Sequence, residues 1–135
     1  MRAIAIVDDD ESVREALESL LRALGFEAAA FAGAEAFLGS DFRARAACLI
    51  TDMQMPGMTG LELHDRLAAS ADPIPTVLIT AYPDDKLRAR AQKAGIAGTL
   101  IKPFDEGALL GAIEDALARS GARACRSLRK DAPAC

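Results

Sequence analysis

The chain has 135 residues and a net charge of −4, and 51% of its residues are hydrophobic. That length suits one domain with a real core, and that hydrophobic fraction excludes disorder over most of the chain. No apolar run approaches the roughly 18 residues needed to span a bilayer, and the run after Met1 is shorter than the about 7–15 residues of a signal peptide. We therefore expect a cytoplasmic protein that does not bind membranes.

The charge is unevenly distributed. Residues 1–118 contain 11 basic and 19 acidic residues, a net charge of −8, whereas residues 119–135 carry a net charge of +4. An acidic domain is a poor nucleic-acid binder, so we expect no direct nucleic-acid contact from it. Because apolar periodicity ends near Ser120, residues 1–120 are predicted as the domain and residues 121–135 as a basic, disordered tail or linker.

Strand and helix signals alternate in chain order. Residues 3–7 are a short apolar run typical of a buried strand, and apolar residues then recur at helical spacing from Val13 to Leu24, before a capping Gly25. The later predicted strands cover residues 26–31, 46–51, 74–80 and 98–102. The later predicted helices cover a short stretch near 34–39 and residues 61–69, 84–95 and 105–120. Five such units in one domain predict an α/β fold, a (βα)5 parallel sheet with helices on both faces.

Polar side chains lie at four of the predicted strand ends. Asp8 and Asp9 come directly after the first strand and Asp52 directly after the third. Thr80 is the last residue of the fourth strand, and Lys102 is the last residue of the fifth. Ligands of open parallel sheets bind outside the carboxyl ends of the strands, where strand order reverses. In a sheet ordered 2-1-3-4-5, the three carboxylates would converge beside a hydroxyl and an ammonium group.

This combination of groups suits phosphoryl transfer. Three clustered carboxylates raise each other's pKa unless a divalent cation compensates, and oxygen ligands suit Mg²⁺ or Mn²⁺. Lys102 and Thr80 are able to bind phosphoryl oxygens, and a central carboxylate is able to act as the nucleophile. No catalytic His, Ser or Cys is needed.

Four motifs carry a family resemblance: "IVDDD" (6–10), "LITDMQMPGMTGLEL" (49–63), "VLITAY" (77–82) and "LIKPF" (100–104). In this order they resemble the receiver domain of bacterial two-component response regulators, closest to the NtrC- and FixJ-like type. The resemblance implies a flavodoxin-like fold with strand order 2-1-3-4-5 and a phosphorelay function. It implies a phosphoacceptor that performs only its own phosphorylation and dephosphorylation, and is not otherwise an enzyme.

The resemblance also implies roles for the acidic residues. Asp52 matches the phosphoacceptor. Asp9 matches a direct Mg²⁺ ligand, and Asp8 acts on the ion mainly through water. Asp52 and the backbone carbonyl of Gln54 would complete the protein ligands.

Further roles follow for the neighbouring strand ends. Thr80 matches the switch hydroxyl and Lys102 the phosphate-binding lysine, with a cis peptide before Pro103. Thr99 stands where the family often has an aromatic switch residue, so the readout is expected to be muted or to use another residue. Tyr82 and Gln54 match positions that tune phosphoryl lifetime.

The partners implied are a sensor histidine kinase and an unidentified output partner or domain, and phosphorylation-dependent dimerisation stays open. The predicted helix 84–95 carries Lys86, Arg88, Arg90 and Lys93. This cationic face is either merely solvated or, with strand five and helix five, a partner surface. We expect phosphorylation to move this helix.

The main alternative is a hydrolase of the haloacid dehalogenase type, in which Asp8 is the nucleophile and Asp10 the acid/base. The motif fits only in part, because Ser12 replaces the usual Thr or Val. In the receiver interpretation, Asp10 or Ser12 instead caps the first helix, and Asp10 and Glu11 belong to its acidic first turn. Two further residues are expected to have ordinary roles: Cys48 as a buried free thiol and His64 as a solvated helix residue.

Overall fold

The computed structural model describes residues 2–55, 57–70, 74–81, 85–102 and 104–128, with side chains described through Ala118. The strands within these residues are β1 (Ala3–Val7), β2 (Glu27–Phe31), β3 (Cys48–Asp52), β4 (Thr76–Thr80) and β5 (Gly98–Ile101). The α-helices are α1 (Glu11–Ala23), α2 (Ala34–Leu38), α3 (Gly60–Ala68), α4 (Asp85–Ala94) and α5 (Glu106–Leu128). None of the described helices is long and apolar enough to cross a membrane.

The five strands form one parallel sheet in the order β2-β1-β3-β4-β5. The predicted flavodoxin-like fold is therefore confirmed. Val7 pairs with Thr51, so Asp8 and Asp52 each follow at the same level of neighbouring strands. Asp52 in turn pairs with Ile79, which precedes Thr80. The register thus places three of the predicted site residues at one edge of the sheet.

Alternate residues of the central strands enter different clusters. Helices α1 and α5 cover one face, where 14 buried residues, among them Ile4, Ile6, Leu21 and Ile113, form the largest cluster. Helices α2 and α3 pack on the other face around Ala5, Val7 and Leu49. Helix α4 belongs to a third cluster of six buried residues. Because β1, β3 and β4 are buried at every position, their sequences are apolar runs and do not alternate with polar residues.

Side-chain caps determine where two helices near the site begin. The Asp10 side chain accepts hydrogen bonds from the backbone N–H groups of Ser12 and Val13, so Asp10, and not Ser12, is the cap of α1. Thr59 and Glu62 form a reciprocal capping box at the start of α3. Each cap satisfies backbone donors that the first turn of a helix leaves without partners.

The main differences from the sequence prediction concern four elements. A short 3₁₀ helix at Asp41–Ala44 was not predicted. Strands β3 and β4 each begin two residues later than predicted, the latter after Pro75, which has no N–H to donate. Helix α5 continues to Leu128, so residues 121–128 are helical, where the sequence predicted a disordered tail or linker. Ala and Arg in that stretch favour helix, and the stretch contains no proline. Residues 129–135 lie outside the described part of the chain.

Cys48, the first residue of β3, is a fully buried free cysteine, as predicted. Burial raises the pKa of its thiol to about 12, because a thiolate there would lose its hydration. The side chain therefore behaves as a small apolar group in the core.

Candidate functional site

Three carboxylates meet at the carboxyl edge of the sheet. Asp8, Asp9 and Asp52 each present an oxygen, and these oxygens lie within 4.8 Å of one another. Asp8 is 1% exposed and Asp52 is 7% exposed, whereas Asp9 lies at the surface. The site therefore has two carboxylates inside the protein and one at its mouth.

The Asp8 side chain is held in one orientation. Its backbone N–H donates to the Phe31 carbonyl (3.1 Å), and its Oδ1 accepts from the backbone N–H of Asp10 (2.8 Å). The Arg14 guanidinium donates to the Asp8 carbonyl (2.8 Å). The second carboxylate oxygen, Oδ2, is buried and makes no hydrogen bond within the described part of the protein.

Lys102 supplies the positive charge nearest to this pair. Its Nζ lies 3.8 Å from Asp52 Oδ1 and 3.9 Å from Asp8 Oδ2. These are ion-pair distances, too long for hydrogen bonds, so one ammonium group is shared by two carboxylates. The Lys102 backbone N–H donates to the Thr80 carbonyl (2.8 Å), which holds the lysine beside the end of β4.

Burial makes the site favour protonated carboxyls or a bound cation. Loss of hydration is the main cause that raises the pKa of Asp8, against hydrogen bonding from Asp10 and the charge of Lys102. Burial also raises the pKa of Asp52, followed by the negative charge of Asp8, while Lys102 lowers it. A divalent cation would relieve the same repulsion, and the Asp8 oxygen that makes no hydrogen bond among the described residues, Oδ2, is available to such an ion.

The remaining predicted residues divide into three groups. Thr80 is fully buried at the end of β4, on the same edge as the carboxylates. Gln54 is exposed, and its backbone N–H donates to Asp52. Thr99 is exposed on the edge strand β5. Tyr82 and Pro103, with the cis peptide predicted there, lie outside the described residues.

Residues 4–114 match the family model of the response regulator receiver domain. The chain belongs to this family. Its relatives are consistent with the match: the response regulator protein TmoT of Ectopseudomonas mendocina is 43% identical over 114 residues. That alignment covers 84% of this chain and 52% of TmoT. The resemblance of the four sequence motifs to a receiver domain is therefore confirmed.

Two further comparisons agree with the assignment. The transcriptional regulatory protein FixJ of Azorhizobium caulinodans is 37% identical over 117 residues, which cover 87% of this chain and 56% of FixJ. The solved structure of the response regulator StyR superposes with a TM-score of 0.87 at 45% identity, over 96% of this chain and 66% of StyR. The receiver domain thus spans about half the length of the curated relatives that it matches.

The alternative hydrolase interpretation gives Asp10 a catalytic role that its position does not favour. The Asp10 carboxylate of this receiver domain is exposed and caps α1 through Oδ1. Its backbone N–H supports Asp8 instead. Asp10 is therefore a structural residue of the acidic turn.

The prediction for His64 is wrong. Its side chain is 7% exposed, with Nδ1 3.1 Å from Thr76 Oγ1 and Nε2 2.9 Å from the Ala94 carbonyl. The partners of His64 lie in β4 and α4, and the apolar pattern of its own helix does not show which residues of other elements it will contact.

Two further residues support the site and were not predicted to do so. Arg14 holds the backbone of Asp8 from the first turn of α1. Gly60 lies so close to β3 that a Cβ added there would be 2.6 Å from the Asp52 carbonyl oxygen. Glycine is a weak helix former, so its presence at the first position of α3 was the one sign in the sequence that a side chain would not fit there.

Proposed function

We propose that this receiver domain accepts a phosphoryl group on Asp52 from a sensor histidine kinase. The observation that carries the proposal is the buried Asp52 carboxylate with Lys102 at 3.8 Å and two further carboxylates beside it. An isolated surface aspartate would have none of these neighbours.

The cation that fits this site is Mg²⁺ or Mn²⁺, because all the available ligands are oxygens. Asp9 and Asp52 would hold it directly with the Gln54 carbonyl, and Asp8 would act mainly through water. The buried Asp8 Oδ2, which makes no hydrogen bond within the described residues, supports this assignment. When bound, the ion supplies positive charge that lowers the repulsion between the carboxylates and the incoming phosphoryl group.

The transfer is a displacement at phosphorus. An Asp52 carboxylate oxygen forms the new P–O bond while the P–N bond to the kinase histidine breaks. The electron pair of that bond goes to the ring nitrogen, and the histidine leaves as neutral imidazole with its proton on the other ring nitrogen. Lys102 stabilises the charge on the phosphoryl oxygens, and the Thr80 hydroxyl donates a hydrogen bond to one of them.

The conformational output is a shift of α4. Phosphorylation adds roughly −1.5 to −2 charges at the carboxyl edge. Thr80 then moves toward the phosphoryl group, and this movement shifts the chain that leads from β4 to α4. The cationic residues Lys86, Arg88, Arg90 and Lys93 are all exposed on α4. With β5 and α5, they form the surface that we assign to an output partner or output domain.

The proposed chemistry is limited to the domain's own phosphorylation and dephosphorylation. Gln54 and Tyr82 would control the access of hydrolytic water, and Thr99 replaces the larger aromatic readout. The domain acts in the cytoplasm, where the kinase phosphorylates it, and makes no direct contact with nucleic acid.

Mass spectrometry after treatment with acetyl phosphate and Mg²⁺ tests the proposal. Wild type is expected to gain a single adduct of about 80 Da, the mass of one phosphoryl group on a carboxylate. Asp52→Asn, which keeps the size of the side chain, is expected to gain none. An adduct of equal yield in the variant would refute the assignment, and turnover of a generic phosphomonoester that requires Asp8 would favour the hydrolase.

A further inference from the structure

Helix α4 is attached to the domain by little apolar surface. It buries only Leu87 and Ala91 among its described residues, in the cluster of six. Helices α1 and α5, by contrast, share the cluster of 14. Individual polar contacts therefore matter more for the position of α4 than for the position of α1 or α5.

His64 makes such a contact at one end of α4. Ala94 is the last residue of α4, and its carbonyl is among the four that the helix leaves without an internal partner. Because a carbonyl only accepts, His64 Nε2 carries the hydrogen and donates it over 2.9 Å. The other ring nitrogen, Nδ1, lies 3.1 Å from Thr76 Oγ1, which also lies 3.0 Å from the Ile74 carbonyl, so both acceptors are within reach of the one Thr76 hydroxyl hydrogen.

Two further contacts hold the same end. The Ala97 N–H donates to the Thr76 carbonyl (2.8 Å), and Ile96 is buried in the α4 cluster. Thr76 therefore contacts both His64 and the segment after α4. It is the first residue of β4, while Thr80 is the last, and four residue steps separate the two by about 13 Å.

We propose that His64 anchors the C-terminal end of α4, so that phosphorylation moves mainly the N-terminal half of the helix. The switch residue Thr80 lies at the carboxyl edge, from which the chain leads to Asp85, whereas the anchor lies at the opposite end of β4. A displacement at Thr80 then tilts α4 about Ala94. The cations Lys86 and Arg88 move farthest, and Lys93 moves least. His64 is thus a positioning residue for the output, and the tilt rests on the proposed function of Asp52.

Native-state amide hydrogen exchange measured by NMR tests the anchor in metal-free protein. In His64→Leu, the amides of Ile96 and Ala97 are expected to exchange about fivefold to tenfold faster, as for the loss of one buried hydrogen bond. His64→Gln keeps a donor and is expected to stay close to wild type. Leu67→Val, on the same helix but in the cluster without α4, is the control for general destabilisation.

Equal exchange at Ile96 and Ala97 in wild type and His64→Leu would overturn the anchor, as would equal acceleration by Leu67→Val. If His64→Leu does not fold, His64→Asn, whose side chain is too short to reach Ala94, replaces it with the same expectation.

The tilt is tested by adding Mg²⁺ and beryllofluoride, which mimics the phosphoryl group on Asp52. In wild type, amide shifts are expected to change mainly over residues 85–90, and in His64→Leu over the whole of 85–97. Equal changes over both halves of α4 in wild type would overturn the tilt. A wild-type protein that does not respond at all would refute the proposed function and the tilt, while the metal-free comparison still decides the anchor.

Discussion

Helices α1 and α4 are packed on the central sheet differently. On the α1 side, Asp8 is held by a strand, a turn and a helix, and the core beneath it contains 14 buried residues. On the α4 side, the helix shares a cluster of six buried residues and relies on a polar contact from His64. Asp8 therefore lies beside the more extensively packed helix, and the lightly attached α4 is the helix that we propose to move on phosphorylation.

Truncation of one buried leucine on each side measures this difference. Leu21→Ala, at a fully buried position of α1, is expected to lower the free energy of unfolding by about 4 kcal/mol. Leu87→Ala, at the 8% exposed position of α4, should lower it by about 2 kcal/mol, because that cluster collapses more easily. Urea denaturation gives both values. A larger loss for Leu87→Ala would reverse the comparison.

Gly60→Ala tests how tightly β3 is packed under Asp52. The new Cβ would lie 2.6 Å from the Asp52 carbonyl oxygen, so the helix or the strand must shift. We expect a loss of about 2 kcal/mol in unfolding free energy, together with slower phosphorylation by acetyl phosphate. Gly111→Ala, where no atom lies within 4 Å of the added Cβ, is the matched control. Equal stability of the two variants would contradict the packing argument.

Asp8→Asn is expected to stabilise the metal-free protein at neutral pH, because it removes a buried charge. The raised pKa of Asp8 means that the folded protein binds this proton more tightly than the unfolded chain. The free energy of unfolding of metal-free wild type should therefore increase as pH falls from neutrality toward the ordinary carboxyl pKa of 3.8.

Thermal denaturation at about pH 4 to 7, where shifted carboxyl groups titrate, measures how the free energy of unfolding changes with pH. This change should be smaller in Asp8→Asn and should persist in part through Asp52, whose pKa is also raised. Mg²⁺ should stabilise wild type more than the variant. A variant less stable than metal-free wild type at neutral pH would mean that burial is not the dominant cause.

The smallest expected effect concerns the turn before α1. Asp10→Ala removes the cap of α1 and should cost about 1 kcal/mol of unfolding free energy. Asp10→Asn, which also caps, should cost less. Since the Asp10 backbone N–H that holds Asp8 is unchanged, phosphorylation of Asp52 should persist in both variants. Abolished phosphorylation in Asp10→Asn would instead support a chemical role for the carboxylate.

Sequence patterns predicted the carboxyl edge well for a physical reason. Buried parallel strands are apolar runs, so their ends are visible as the first polar residues, and Asp8, Asp52 and Thr80 were located in this way. The side-chain cap at Asp10 was equally local. The strand order came from the family resemblance and not from the residues.

The contacts of α4 could not be predicted in the same way. His64 was expected in solvent as an ordinary helix residue, yet its partners are 12 and 30 residues away in the chain. Such contacts depend on how α3 and α4 lie relative to each other. The close approach of Gly60 to Asp52 depends likewise on tertiary packing, and the helical segment 121–128 shows no apolar periodicity that would have predicted it.

The buried thiol of Cys48 gives the domain an internal reporter of its own opening. A thiol-modifying reagent reacts with thiolate, and Cys48 offers almost none while β3 is in place. The rate at which the Cys48 thiol is modified therefore reports how often β3 separates from the core. Motion confined to α4 leaves that rate unchanged, so one atom distinguishes movement of a helix from loss of the fold.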